Sequence, residues 1–163
     1  MPIEKFADRS FLTNYFSGTG YAFRREAVQR AGLFPEILYM HYEELELAYR
    51  ILDQASLILY VPHISVIHHE HQISRRSEIQ EFYKNRNQVL VAVQCMPVLK
   101  AVSYLTPRIA YALIGAIKGR RIGSFYKMIQ SAVELGKVRI QTRSPLKPET
   151  WRLMRSMKKG LTR

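Results

Sequence analysis

Aspartate, cysteine and unbroken apolar sequence are scarce in this 163-residue chain. The only aspartates are Asp8 and Asp53, so no two stand together as a metal-binding pair. Cys95 is the single cysteine. That excludes an internal disulfide, fits a reducing compartment and leaves no thiolate cluster for zinc. A membrane-spanning helix needs about 20 largely apolar residues. The most apolar stretch, Val98 to Ile117, is broken by Lys100, Pro107 and Arg108. It reads better as a helix lying in a membrane interface, with Lys118, Arg120 and Arg121 at the headgroups. Met1 is followed by Pro2 and Glu4 with no apolar core behind them, so no signal peptide is expected. There is neither an internal repeat nor a low-complexity run, and the length suffices for one hydrophobic core.

Acidic residues are few and unevenly placed. Residues 1–70 hold 6 Lys+Arg and 9 Asp+Glu, a net of −3, whereas residues 71–163 hold 19 and 4, a net of +15. The most informative run, His41 to Arg50, lies in the acidic part. At about 100° per residue, Leu45, Leu47, Ala48, Ile51, Leu52 and Ala55 share one helix face centred near Glu44. Glu43, Glu46, Arg50 and Asp53 fall on the opposite face, which is expected to be wet. A helix made for solvent does not aim Glu44 inward. At a helix start, free backbone N–H groups and the helix dipole hold such a carboxylate. A carboxylate held in place suits a general base. The simpler alternative is a first-turn acid that only complements the dipole.

Other pieces flank that helix in a fixed order. Upstream stand Phe16-Ser17-Gly18-Thr19-Gly20-Tyr21-Ala22-Phe23-Arg24-Arg25 and Ala31-Gly32-Leu33-Phe34-Pro35. Downstream stand Ile58-Leu59-Tyr60-Val61-Pro62, then Val66-Ile67-His68-His69, then Arg86-Asn87. No single piece is specific, but together and in register they resemble the second half of a family 2 glycosyltransferase of the A-type, Rossmann-like fold. The similarity is to the non-processive, rhamnosyltransferase-like members, over about Tyr15 to Asn87. The Gln-x-x-Arg-Trp signature of processive synthases is absent, which points to one sugar added per encounter.

The resemblance implies a role for each piece. Glu43-Glu44 resembles the family's acidic pair, whose second member deprotonates the acceptor hydroxyl; Glu44 stands where an aspartate is usual. Glu46-Leu47 and Arg50 match the acid-Leu and Arg of the same helix, and Glu46 and Arg50 at i,i+4 can pair. Gly18, Thr19 and Gly20 would border the sugar and acceptor pocket, since glycine lets backbone approach a ligand. Phe23 in the third glycine position excludes a dinucleotide fingerprint, and an ordinary loop with a helix cap at or near Thr19 is the plainer alternative. Arg86-Asn87 matches the family's Arg-Asn, and Arg75, Arg76 and Arg86 are candidates to meet diphosphate oxygens; for Arg75 and Arg76 a solvated loop is the equal alternative. His68 would end a strand beside the donor diphosphate and, as in some members, ligate a divalent metal, Mn²⁺ suiting imidazole better than Mg²⁺; from local sequence alone, a hydrogen-bonded histidine at a strand end ranks ahead of a ligand. A zinc site from His68, His69, Glu70 and His71 is disfavoured, because alternate strand residues share a face and at most two converge.

The family's nucleotide-binding half and its Asp-x-Asp motif find no counterpart. The chain therefore reads as the acceptor-side half of an enzyme, lacking by itself most of the donor site: a truncated gene product, the product of a mis-called start, or one piece of a split protein. The expected organisation is α/β: residues 1–87 form the C-terminal part of the catalytic domain, and residues 88–163 a basic extension of amphipathic helices. Helices are expected over about Arg24 to Ala31, from Ile79 to Met96 with Pro97 as terminator, and over about Gly123 to Leu135. Leu57–Val61 reads as a buried strand and Val66–His68 as a second. The tail from Thr150 sets Trp151, Met154, Met157 and Leu161 among basic residues, which suits an anionic inner leaflet.

The reading is an inverting glycosyltransferase that moves a sugar from a nucleotide-sugar to a glycan or lipid-linked acceptor in cell-surface polysaccharide synthesis. It would work in the cytoplasm, peripheral to the inner face of the plasma membrane. A rival is a non-catalytic membrane-surface or partner-binding module. A third reading, an RNA-binding basic protein, has no recognised motif behind it.

Overall fold

The computed structural model describes residues 9–69 and 77–160. Its described elements are β1 (Phe11–Thr13), α1 (Arg25–Ala31), a 3-10 turn (Glu36–Leu38), α2 (Glu43–Asp53), β2 (Ile58–Tyr60), α3 (Ser77–Cys95), α4 (Val98–Lys118), α5 (Ile122–Gln141) and α6 (Pro148–Gly160). The fold is helix-rich, with both strands in one antiparallel ribbon. Two compact units are present. The first falls within Met1–Pro35, Glu44–Glu70 and Leu146–Arg163, and the second within Glu36–Glu43 and His71–Pro145.

The first unit is built around α2. Leu47, Ala48, Ile51 and Leu52 are buried, as the helical period requires. Phe16, Ala31, Leu47, Ala48 and Ile51 form a cluster against which Phe23, Val28 and Ile58 pack. Phe16 meets Phe23 edge to face at 5.0 Å between ring centroids. Ala55 is exposed and left-handed (φ 58°), because α2 ends at Asp53 before the apolar stripe reaches it.

The supposedly wet face of α2 is a correction. Glu46 is buried at 3% exposure and pairs with Arg50 at 3.6 Å. The Arg50 guanidinium donates to the carbonyls of Ala31 and, at 2.7 Å, of Leu33. Those carbonyls belong to the end of α1, where Gly32 takes the left-handed conformation (φ 84°) that closes the helix. A cation capping a helix C-terminus also offsets its dipole. The Glu46–Arg50 pair is therefore structural cement between α1 and α2. Asp53, on the same face, caps α6: its Oδ1 accepts from the Lys147 N–H at 2.8 Å and the Thr150 hydroxyl at 2.6 Å. Pro148 at the first position of α6 lacks the N–H that would otherwise be orphaned there.

The strands also differ from expectation. β1 and β2 pair antiparallel with Phe11 opposite Tyr60, Leu12 opposite Leu59 and Thr13 opposite Ile58. Leu57, Leu59 and Tyr60 are exposed, so the Leu57–Val61 run is not a buried strand. A ribbon of two three-residue strands leaves one side chain row uncovered whatever its hydrophobicity. Val66–His68 is irregular: β-branched composition does not make a strand where no described ladder partner runs beside it. α6 packs along β1. Met154 and Met157 are buried, and Trp151 lies 6.3 Å from the Tyr49 ring. The apolar side of the expected membrane-facing tail is thus covered by protein, because it has an α2–β1 surface to pack on.

The second unit centres on α3, which packs against α4 and α5. Leu90, Val91, Ala92 and Cys95 are buried, whereas Ile79 is exposed. Pro97 separates α3 from α4, as expected. Pro107 does not end α4, which continues to Lys118. Around it, Thr106 Oγ1 donates to Val102 O at 2.9 Å and Arg108 Nη1 to Tyr104 O at 2.9 Å. Arg108 also lies 3.6 Å over the Tyr104 ring. Among the described residues, no helix is long and apolar enough to cross a membrane.

Candidate functional site

Within the first unit, three separate sequence pieces meet. The loop Ser17–Gly20 is folded by its own hydroxyls. Ser17 Oγ donates to Thr19 Oγ1 at 3.2 Å and accepts the Thr19 N–H at 3.3 Å, and the Gly20 N–H reaches Ser17 O at 3.3 Å. Thr19 is therefore a loop residue and caps no helix; α1 starts after Arg24 with no side-chain cap.

This fold of the loop presents both glycines to neighbours. A β-carbon on Gly18 would run into the Glu44 carboxylate at Oε1. One on Gly20 would lie 2.7 Å from Val66 Cγ2. Neither glycine has a left-handed φ, so glycine is required here for space rather than for backbone conformation. Glu44 is half-buried in the first turn of α2. The Gly18 backbone thus fits against one of its carboxylate oxygens, while Val66 brings the segment carrying exposed His68 beside Gly20. Glu43 opens α2 and is half-buried.

The Gly18 contact has a testable consequence. The obstructing atom is the tip of a flexible side chain, so Gly18→Ala can be accommodated by swinging the Glu44 carboxylate aside. Thermal or urea unfolding of Gly18→Ala is expected to stay within about 1 kcal/mol of the parent. A loss several times larger would mean that Gly18 is packed by something other than Glu44.

Arg86 is placed differently from the diphosphate contact implied for it. It is buried in the second unit, with Nε donating to Asn87 Oδ1 and Nη2 to Ile37 O, both at 2.9 Å. Its guanidinium lies 4.7 Å from the Tyr83 ring centroid. Burial lowers its pKa, and Tyr83 opposes that shift. Asn87, which is fully buried, donates from Nδ2 to Leu38 O at 2.6 Å, Met40 O at 2.7 Å and His41 O at 2.8 Å. Arg86 and Asn87 therefore hold the loop between the 3-10 turn and α2. Tyr39, His41 and Tyr42 in that loop have φ of 47°, 65° and 72°, a backbone that needs outside support. Nothing in the sequence pattern marks Asn87 as this support, because its three acceptors lie 46 to 49 positions away.

Arg75, Arg76, Glu70 and His71 lie outside the described residues. Among the described residues, no three His, Cys, Asp or Glu side chains converge on a metal position. No protein-family model, curated protein or solved structure matches this chain.

Proposed function

We propose that the chain is the acceptor-side part of an inverting glycosyltransferase similar to family 2, and that Glu44 is its general base. The finer fold reading, the second half of an A-type glycosyltransferase, belongs to the same proposal. The observation that supports it is the convergence of the Gly18–Gly20 loop, the start of α2 and the Val66–His68 segment, with the Glu44 carboxylate against Gly18. These pieces are distant in sequence; the resemblance assigns the Gly18–Gly20 loop and Glu44 to the sugar and acceptor pocket, and His68 to the neighbourhood of the donor diphosphate.

In the reaction, the acceptor hydroxyl lies within hydrogen-bond reach of Glu44. As its oxygen attacks the anomeric carbon, the proton passes to the Glu44 carboxylate. The bond from that carbon to the donor diphosphate breaks on the opposite side, so configuration inverts. The nucleoside diphosphate leaves with the bonding electrons. Gly18, Thr19 and Gly20 allow a sugar to approach the backbone closely. The donor is a nucleotide-sugar, and the acceptor a glycan or lipid-linked sugar.

The test is sugar transfer from a panel of nucleotide-sugars by the full-length enzyme, donor-binding half included, with the product's anomeric configuration read by NMR. Inversion is expected. Retention of configuration would overturn the mechanism.

A further inference from the structure

We infer that the face formed by α4 and α5 of the second unit is a docking surface for an anionic lipid bilayer. The observation that carries it is an aliphatic surface left exposed on two basic helices. On α4, Leu99 is 85% exposed, and Val102 and Ile117 are also exposed. At about 100° per residue these three fall on one side of the helix, away from buried Ala101 and Ala112. On α5, exposed Ile122, Val133 and Ile140 also fall on one side, away from buried Met128 and Arg139 and with buried Gly136 at its edge. The two stripes meet, because Val98, Val102 and Ile140 line a single apolar groove of about 760 Å³. That space accepts an acyl chain.

Charge selects the occupant. α4 contains no acidic residue. The one acid of α5, Glu134, is hydrogen-bonded to Gln130 at 3.1 Å. Lys118, Arg120, Lys127 and Lys137 are exposed on or beside these helices, whereas Arg121 is paired with Glu81 at 2.9 Å. A second copy of a chain carrying a net +12 would be repelled. An aliphatic stripe flanked by ammonium groups matches acyl chains beneath anionic headgroups. Nucleic acid would satisfy the charge but leave the aliphatic side chains without a partner. No described helix is long and apolar enough to cross a membrane; on the bilayer, α4 would dock in the plane of the interface.

The experiment is co-sedimentation of the full chain with vesicles of phosphatidylcholine plus phosphatidylglycerol, and with phosphatidylcholine alone. Binding to the anionic vesicles is expected to be at least about tenfold stronger and to weaken with salt. Leu99→Glu with Ile117→Glu is expected to lower it by about tenfold or more. Lys118→Ala with Lys137→Ala should lower it on anionic vesicles only. Both positions of each pair are exposed, and circular dichroism checks that the helices persist. Equal binding to both vesicle types, no binding, or binding indifferent to the Glu substitutions would overturn the inference. So would a dimer split by Leu99→Glu in a chain that ignores vesicles, or displacement from vesicles to a single-stranded RNA competitor by the unsubstituted chain. Sugar transfer is not part of the readout, so this face and the Glu44 site stand or fall separately.

Discussion

Glu44→Gln is expected to slow sugar transfer by ~10²- to 10⁴-fold, the usual contribution of a positioned general base. That loss corresponds to ~3–5 kcal/mol in the barrier. The substitution preserves size and one carbonyl oxygen but removes the group that takes the proton. Glu44 stands outside the buried cluster of Phe16, Ala31, Leu47, Ala48 and Ile51, so unfolding should hardly change. Two companions sharpen the result. Glu44→Asp keeps a carboxylate but withdraws it from Gly18, and its rate should fall between those of the parent and Glu44→Gln. Gly18→Ala keeps the carboxylate but displaces it, and about a hundredfold loss is expected from misplacement alone. Normal turnover in Glu44→Gln would remove the base assignment. Equal stability with ordered rates would tie the loss to carboxylate position rather than to folding.

Asn87→Leu should cost the protein about 3 kcal/mol or more of stability. The side chain is wholly buried and is used on both its ends: Nδ2 serves the carbonyls of Leu38, Met40 and His41, and Oδ1 accepts from Arg86 Nε. Leucine fills a similar volume but removes these hydrogen bonds, at about 1–3 kcal/mol for each group left buried without a partner; Leu38 O keeps the Met40 N–H. Relaxation of the left-handed residues Tyr39, His41 and Tyr42 recovers part of the loss. Urea unfolding measures the total. Asn87→Asp should be worse at neutral pH, because it turns a donor into a negative charge facing three carbonyl oxygens. A change below about 0.5 kcal/mol in Asn87→Leu would mean that the loop is held by other contacts.

The difference between these residues shows what a linear sequence carries. Glu44, Gly18 and Gly20 were legible as candidates because order and local spacing expose them. Asn87 was legible only as half of an Arg-Asn pair, and the role implied for Arg86 was a ligand contact. Burial of Arg86 and Asn87 depends on a loop nearly fifty positions away, which no local period encodes. The expected membrane-facing segments divide in the same way. The tail bearing Trp151, Met154 and Met157 has the composition of an interfacial helix, yet the protein covers its apolar side. α4 is more apolar than that tail, and it keeps its stripe exposed.

Sequence by itself determined most of the helical segments and the apolar core of α2. The 3.6-residue period placed Leu47, Ala48, Ile51 and Leu52 inward, Pro97 separated α3 from α4, and the charge division set the basic helices in the second half. These are local properties, fixed by neighbours three and four residues apart. Only the tertiary structure decided what covers each polar face. It buried Glu46 with Arg50 against the end of α1 and set Asp53 on the start of α6. It also laid the Glu44 carboxylate on Gly18 and paired the strands antiparallel. A buried polar group takes whichever partner the folded chain brings to it, and that partner is distant in sequence.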